Sequence, residues 1–336
     1  MAYKRILLGT DGSTRAVEAG RIAFALAKAG SAELVVARAY ERPEGAQASL
    51  DEAVAAAQEA GVRKVTSVLR AGRPAEVLIE LAEGRDVGLI VVSGGRAQRH
   101  ELGLVPERLS HNGPRDVLIV SDRAHRFEPG ESPYQRVLIA TDGSPTADRA
   151  ARKGYDLAES LGAPVTMVFV GHPVTGKLIT DDTIAIYAGD VPTDAVITQG
   201  DPADRILAVA AETHSDLIVV GNKGMTGMKR FFLSSVPEKV IDMADRDVLV
   251  GRTVTQVTSE LATGEGGIIV QAGEKLAAYV DEAGEMHVMS ARCTHLGCTV
   301  AWNGTTHLFE CPCHGSRYSP LGEVVNGPAA RALPPA

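Results

Sequence analysis

All four cysteines of the 336-residue chain fall between residues 293 and 313. They sit in two short boxes, Cys293-Thr-His295-Leu-Gly-Cys298 and Cys311-Pro-Cys313-His314-Gly-Ser316, with twelve residues between Cys298 and Cys311. Each box offers a soft thiolate and an imidazole at short spacing. Two cysteines and two histidines on paired loops can hold tetrahedral zinc. The same four can hold a [2Fe–2S] cluster, with both cysteines on one iron and both histidines on the other. So dense a group points to a local metal or redox centre and not to a disulfide scaffold.

The elements that must position these boxes are short. From residue 253 onward helical periodicity vanishes, glycines recur, and brief apolar runs at 267–270, 277–280 and 287–290 alternate with turns. Residues 281–284, Asp-Glu-Ala-Gly, read as a hairpin turn between two of them. This stretch reads as a small β domain. Trp302 reads as packing, and His287 and His307 as ordinary strand or surface residues.

The preceding chain repeats itself. Leu-Leu-Gly-Thr-Asp11-Gly-Ser returns as Leu-Ile-Ala-Thr-Asp142-Gly-Ser, and Val-Pro-Glu-Arg-Leu109 returns as Val-Pro-Glu-Lys-Val240, both at an offset of 131. That period is far above the 20–50 residues of solenoids, so the repeats are whole domains. Within each, continuous apolar strands alternate with helices, the signature of a parallel sheet covered on both faces. Such sheets bind ligands outside the carboxyl ends of their strands, at the topological switch point. In repeat two, residues 171–190 read as irregular where repeat one shows a clean helix. Residues 122–134 are charged and carry two prolines, so they read as a linker.

The strand-Asp-Gly-Ser-helix opening and the glycines after the fourth strand make each repeat resemble the universal stress protein family. Its nucleotide-binding branch carries Gly, two residues, Gly, nine residues, then Gly-Ser or Gly-Thr. Glycines of this kind let backbone amides approach phosphates, and the following helix N-terminus adds unpaired N–H groups. Repeat two nearly fits, with Gly221, Gly224, nine residues, then Ser234 and Ser235. Ser234 departs from the pattern, which has glycine there. The resemblance implies an ATP site in repeat two, with Asp142 beside the nucleoside, although Asp142 reads equally well as a turn-forming or N-capping residue. In repeat one, Ser93 and Arg96 replace the glycines and the loop is three residues shorter, so it reads as a degenerate copy. No Gly-Lys-Ser/Thr loop occurs, which favours nucleotide binding over vigorous hydrolysis. Family domains commonly pair through their last strands, which implies an internal pseudo-dimer of the two repeats.

The two cysteine–histidine boxes, with a Gly327-Pro328 turn behind them, resemble Rieske iron–sulfur domains from about residue 259 to 336. The resemblance implies that Cys293 and Cys311 bind one iron of a [2Fe–2S] cluster and His295 and His314 the other. It implies that Cys298 and Cys313 form a disulfide tying the loops together, and that Leu296 shields the cluster. Ser316 and Tyr318 match the hydroxyls that hydrogen-bond cluster sulfur and raise its potential.

The expected fold is therefore α/β: two tandem doubly wound parallel-sheet domains of universal-stress-protein type, at residues 1–122 and 135–252 with a linker at 123–134, then a small all-β Rieske domain at 259–336. Lys plus Arg number 34 against 42 Asp plus Glu, a net charge of -8, which disfavours nucleic acid as a partner. No apolar run reaches the ~18–20 residues of a membrane helix, and the first ten residues do not read as a signal peptide. The expectation is a cytoplasmic protein without a membrane partner, serving electron donor and acceptor proteins that the sequence does not name. A redox or nucleotide-binding role is expected over stand-alone catalysis, because the repeats show no two-histidine, one-carboxylate iron site. The alternatives are a ferredoxin-like component of a separate oxidoreductase, with the repeats as docking scaffold, and a zinc-stabilised adaptor.

Overall fold

The computed structural model describes residues 2–41, 43–94, 104–112, 114–121, 127–128, 131–222, 236–251, 261–271, 274–295, 299–311 and 315–335. They form two compact units, the repeats and the C-terminal region.

In repeat one the order is β1 (Arg5–Gly9), α1 (Thr14–Ala29), β2 (Glu33–Tyr40), α2 (Ala46–Glu59), β3 (Val65–Ala71), α3 (Pro74–Gly84), β4 (Leu89–Ser93), α4 (Leu104–Asn112) and β5 (Asp116–Val120). Repeat two runs β6 (Val137–Thr141), α5 (Pro145–Leu161), β7 (Val165–Val170), α6 (Pro173–Tyr187), β8 (Thr193–Thr198), α7 (Pro202–Glu212), β9 (Leu217–Gly221), α8 (Val236–Met243) and β10 (Asp247–Gly251). Local chemistry explains where helices begin. Ser13 caps α1 by accepting from the Ala16 amide, and Asp201 caps α7 by accepting from the amides of Ala203 and Asp204. Pro74, Pro173 and Pro202 open their helices, where a missing N–H costs nothing.

The strands build one ten-stranded sheet, ordered β3-β2-β1-β4-β5-β10-β9-β6-β7-β8. Every neighbouring pair within a repeat is parallel. Between the repeats, β5 and β10 pair antiparallel, with Leu118 opposite Leu249. Each face of the sheet carries one apolar core that runs through both repeats, one including Leu118 and Leu249, the other Ile119 and Val248.

Two features depart from the sequence reading. Residues 173–187, expected to be irregular, form the helix α6. The usual pattern is blurred there: the buried positions are Gly176, Thr180 and Thr183, whereas Val174, Leu178 and Ile186 are 65%, 63% and 56% exposed. Gly176 is needed because a Cβ would come within 2.6 Å of Phe169 and 2.8 Å of Ile197. The two inward threonines satisfy their hydroxyls on the Gly176 and Ile179 carbonyls. The second departure is Tyr134, which falls in the expected linker but is buried. Its hydroxyl donates to Asp247 at 2.7 Å, as Tyr3 donates to Asp116 at 2.9 Å in repeat one.

In the C-terminal unit, β11 (Gly266–Gln271), β12 (Glu274–Val280) and β13 (Met286–Ser290) form an antiparallel sheet. A second antiparallel sheet runs in the order β14 (Ala301–Asn303), β15 (Leu308–Glu310), β16 (Arg317–Tyr318) and β17 (Val324–Asn326). Between β12 and β13, Asp281 closes the hairpin by accepting from the amides of Ala283 and Glu285. Trp302 lies against Tyr279 and Phe309.

Asp247 gives the seam a pH dependence. Its carboxyl accepts from the Ser121 amide across the seam at 2.8 Å and from Tyr134, yet burial dominates and pushes its pKa from 3.8 up to about 7. Between those values the folded state keeps a proton that the unfolded chain has released. The residue's contribution to stability therefore falls as pH rises from about 4 to about 7 and is level above that, a change on the order of a few kcal/mol. Asp247→Asn cannot ionise. Thermal melts of the full chain from pH 4 to 8 should show a flatter decline in the variant than in the wild type; parallel curves would refute the assignment.

Candidate functional site

The first cysteine box leaves the end of β13, where Ala291 and Cys293 are buried in the core of the C-terminal unit. An antiparallel bridge pairs Arg292 with Thr299, the residues on either side of the box. The second box leaves β15, whose residue Phe309 pairs with Tyr318 of β16. Cys311 is fully buried; its amide donates to the Ser316 carbonyl at 2.7 Å, and its own carbonyl accepts from Gly315 at 3.1 Å. Gly315 turns the loop at φ +71.

Tyr318 joins the boxes. Its hydroxyl lies 3.1 Å from Cys293 Sγ and accepts from the Thr294 amide at 3.2 Å. Burial pushes the Cys293 thiol up. The Tyr318 hydroxyl, the His295 backbone, Cys311 and Ser316 more than offset it and hold the thiol below its ordinary value. Burial and the neighbouring Cys293 raise the Tyr318 phenol, so it stays a proton donor. His295, next to these sulfurs in sequence, has a buried Nδ1. One thiol held toward its thiolate beside a second buried cysteine, with hydroxyls close by and an imidazole two residues along the chain, fits a thiolate–imidazole metal centre. Of the expected ligand set, Cys293, His295 and Cys311 are described. His314, the disulfide pair Cys298 and Cys313, and Leu296 lie outside the described residues.

The turn behind the boxes is held by backbone contact. Gly327 has φ +101, and a Cβ there would stand 2.5 Å from Ser316 Cα and 2.8 Å from the Gly315 oxygen. Just beyond it, the Ala329 amide donates to Ser316 Oγ at 3.1 Å. Sequence reasoning passed over Thr294, which touches Tyr318 and whose hydroxyl donates to the Arg331 carbonyl at 2.6 Å. Its only sequence signal is its place between two expected ligands. Among the described residues, Asp281, Glu285 and His287 also bring ligand atoms within 4.8 Å of one another. There the Asp281 carboxylate is occupied by the hairpin amides and by His287 Nε2 at 2.9 Å.

In repeat two, Asp142 follows β6 and Gly221 ends β9. These strands are neighbours, and the chain winds outward from them in opposite directions, so both residues stand at the switch point. Gly143 takes φ +74, its amide donating to Thr141 Oγ1 at 3.2 Å, and α6 covers the turn: a Cβ would meet Ile179 at 2.8 Å. Gly224, Ser234 and Ser235 lie outside the described residues. In repeat one, the Asp11 carboxylate is engaged by the Ser13 amide at 2.9 Å. Burial raises its pKa, but Ser13 and Arg38 bring it below the usual carboxylate range.

The universal stress protein family model matches residues 2–121, 133–181 and 175–252. The chain belongs to the universal stress protein family. A second model, the Rieske [2Fe-2S] domain, matches residues 252–335, so the chain joins tandem universal stress protein domains to a C-terminal Rieske domain. A solved universal stress protein from Archaeoglobus fulgidus shares the fold, with a TM-score of 0.57 at 22% identity over 74% of this chain and 98% of its own. A Bacillus subtilis protein that carries the name of a Rieske 2Fe-2S iron-sulfur protein is 39% identical over 134 residues, 38% of this chain and 26% of that one. A cytochrome b6-f complex iron-sulfur subunit of Synechococcus sp. is 58% identical over 45 residues, 13% of this chain and 26% of that subunit. The chain thus spans about a quarter of the length of either curated relative. No helix among the described residues is long and apolar enough to cross a membrane.

The close approach at Gly327 makes a specific demand. Gly327→Ala should strain the backbone and push the turn off Ser316, lowering the stability of the C-terminal unit by about 1–3 kcal/mol. Urea denaturation of the full chain, followed by the fluorescence of its single tryptophan, Trp302, reads that unit directly. An unchanged midpoint would show that the contact does not matter.

Proposed function

We propose that this chain is a cytoplasmic stress-related protein that transfers or senses single electrons and couples that role to adenine-nucleotide binding. Cys293 and Cys311 would hold one iron of a [2Fe–2S] cluster, and His295 and His314 the other. When bound, the cluster supplies a one-electron couple. The observation that carries this reading is the approach of the Tyr318 hydroxyl to the sulfur of Cys293, which is buried as Cys311 is. A hydroxyl aimed at a ligand sulfur stabilises added negative charge, which suits a redox centre better than a structural zinc. Ser316, fully buried beside the second box, supplies a second hydroxyl. A Cys298–Cys313 disulfide would tie the two loops together, and the Gly327-Pro328 turn would keep water away.

For the nucleotide, the support is the placement of Asp142 and Gly221 at adjacent strand ends of the switch point. Gly224, Ser234 and Ser235 would complete the phosphate loop, with binding and not hydrolysis as its task. A second reading, an electron-transfer component of a separate oxidoreductase with the repeats as docking scaffold, draws on the cytochrome b6-f subunit likeness. Turnover with a candidate reductase, measured with and without ATP, separates the two: nucleotide dependence favours the first, and indifference to ATP the second.

Two measurements test the reading. The reduced protein should give a Rieske-type EPR signal, and Tyr318→Phe and Ser316→Ala should each lower the potential while keeping the cluster. A zinc-loaded, EPR-silent protein, or a potential unmoved by both changes, would overturn it. Calorimetric titration should find one ATP per chain, abolished by Gly224→Arg, whose side chain would occupy the space of the phosphates. Unchanged affinity in that variant would remove the nucleotide half of the proposal.

A further inference from the structure

We propose that Thr294 is a positioning residue for Tyr318: its hydroxyl oxygen competes with the Cys293 sulfur for the tyrosine proton and sets the potential of the site below the value the Tyr318–Cys293 contact alone would give. This inference rests on the iron–sulfur reading above.

Thr294 Oγ1 lies 2.6 Å from the Arg331 carbonyl oxygen, which can only accept, so the threonine hydrogen is committed there. Toward Tyr318, 3.2 Å away, Oγ1 then presents only lone pairs. The tyrosine oxygen already accepts from the Thr294 amide at 3.2 Å. Its single hydrogen therefore has two acceptors within reach, Cys293 Sγ at 3.1 Å and Thr294 Oγ1 at 3.2 Å. Tyr318 is fully buried, so no water shares the choice. One hydrogen divided between two acceptors stabilises charge on the sulfur less than one given to it entirely. The threonine thus works against the tyrosine, although all three groups lie in one network. Removing its hydroxyl should raise the potential, the opposite of removing the tyrosine hydroxyl.

The test is a double-mutant cycle read as a potential, on the full chain with its cluster, by redox titration followed by EPR or circular dichroism. Thr294→Val keeps the shape and removes the oxygen; the exposed Arg331 carbonyl can turn to water instead. Thr294→Val should favour the reduced form by up to about tenfold, an upward shift of as much as about 59 mV for one electron. Thr294→Ser, which keeps the hydroxyl, should match the wild type. In a Tyr318→Phe background the valine change should have little effect, because no tyrosine hydrogen remains to redirect. If Thr294→Val does not retain its cluster, Thr294→Ala carries the same expectation. A downward or absent shift, or an equal upward shift in both backgrounds, overturns the role of Thr294. A wild-type chain without a Rieske-type signal overturns the iron–sulfur reading itself, so the two failures are distinguishable.

Discussion

A parallel sheet that stops leaves a strand with a row of unpaired amides and carbonyls, and each repeat of this chain ends on such a strand. The pairing of β5 with β10 removes both open edges at once, and the rest of the tandem unit follows from it. Through this seam the two halves share a continuous core on each face. The helices that begin each repeat reinforce it from outside. Arg21 on α1 donates to the Phe127 carbonyl ahead of repeat two, and Lys153 on α5 donates to the Ala2 carbonyl at the start of repeat one. The buried Tyr3–Asp116 and Tyr134–Asp247 pairs stand at equivalent places, so the seam is organised alike from both sides.

The C-terminal unit solves a different problem. Among the described residues its core is a cluster of eleven buried residues, and two of them are Cys293 and Cys311. Core and site are therefore one object: the side chains that would hold a metal also fill the interior. So small a core gains from any added tie. This accounts for the close backbone contact at Gly327 and for the hydrogen bonds that converge on Tyr318.

Much of this was legible in the sequence because it lay in patterns that physics makes local. The continuous apolar strands announced the parallel sheet, the offset of 131 announced the repeat, and the two boxes announced the metal chemistry. What escaped notice was settled by tertiary partners. Helix α6 reads as irregular because its fully buried positions are Gly176, which fits under Phe169 and Ile197, and two threonines, while several of its aliphatic residues face solvent. Tyr134 reads as linker because only Asp247, 113 residues away, reveals its role. Thr294 reads as a spacer between two expected ligands until the fold brings Tyr318 and Arg331 to it.

The seam also fixes the direction in which the two repeats face. Antiparallel pairing of β5 and β10 turns one set of parallel strands end for end relative to the other, so their carboxyl ends lie on opposite edges of the shared sheet. The turn holding Asp142 and the turn holding Asp11 therefore open away from each other, separated along the strand axis by roughly the length of a five-residue strand, about 17 Å. No single small ligand can touch both. Any influence of one turn on the other must therefore travel through the shared cores and the contacts that cross the seam.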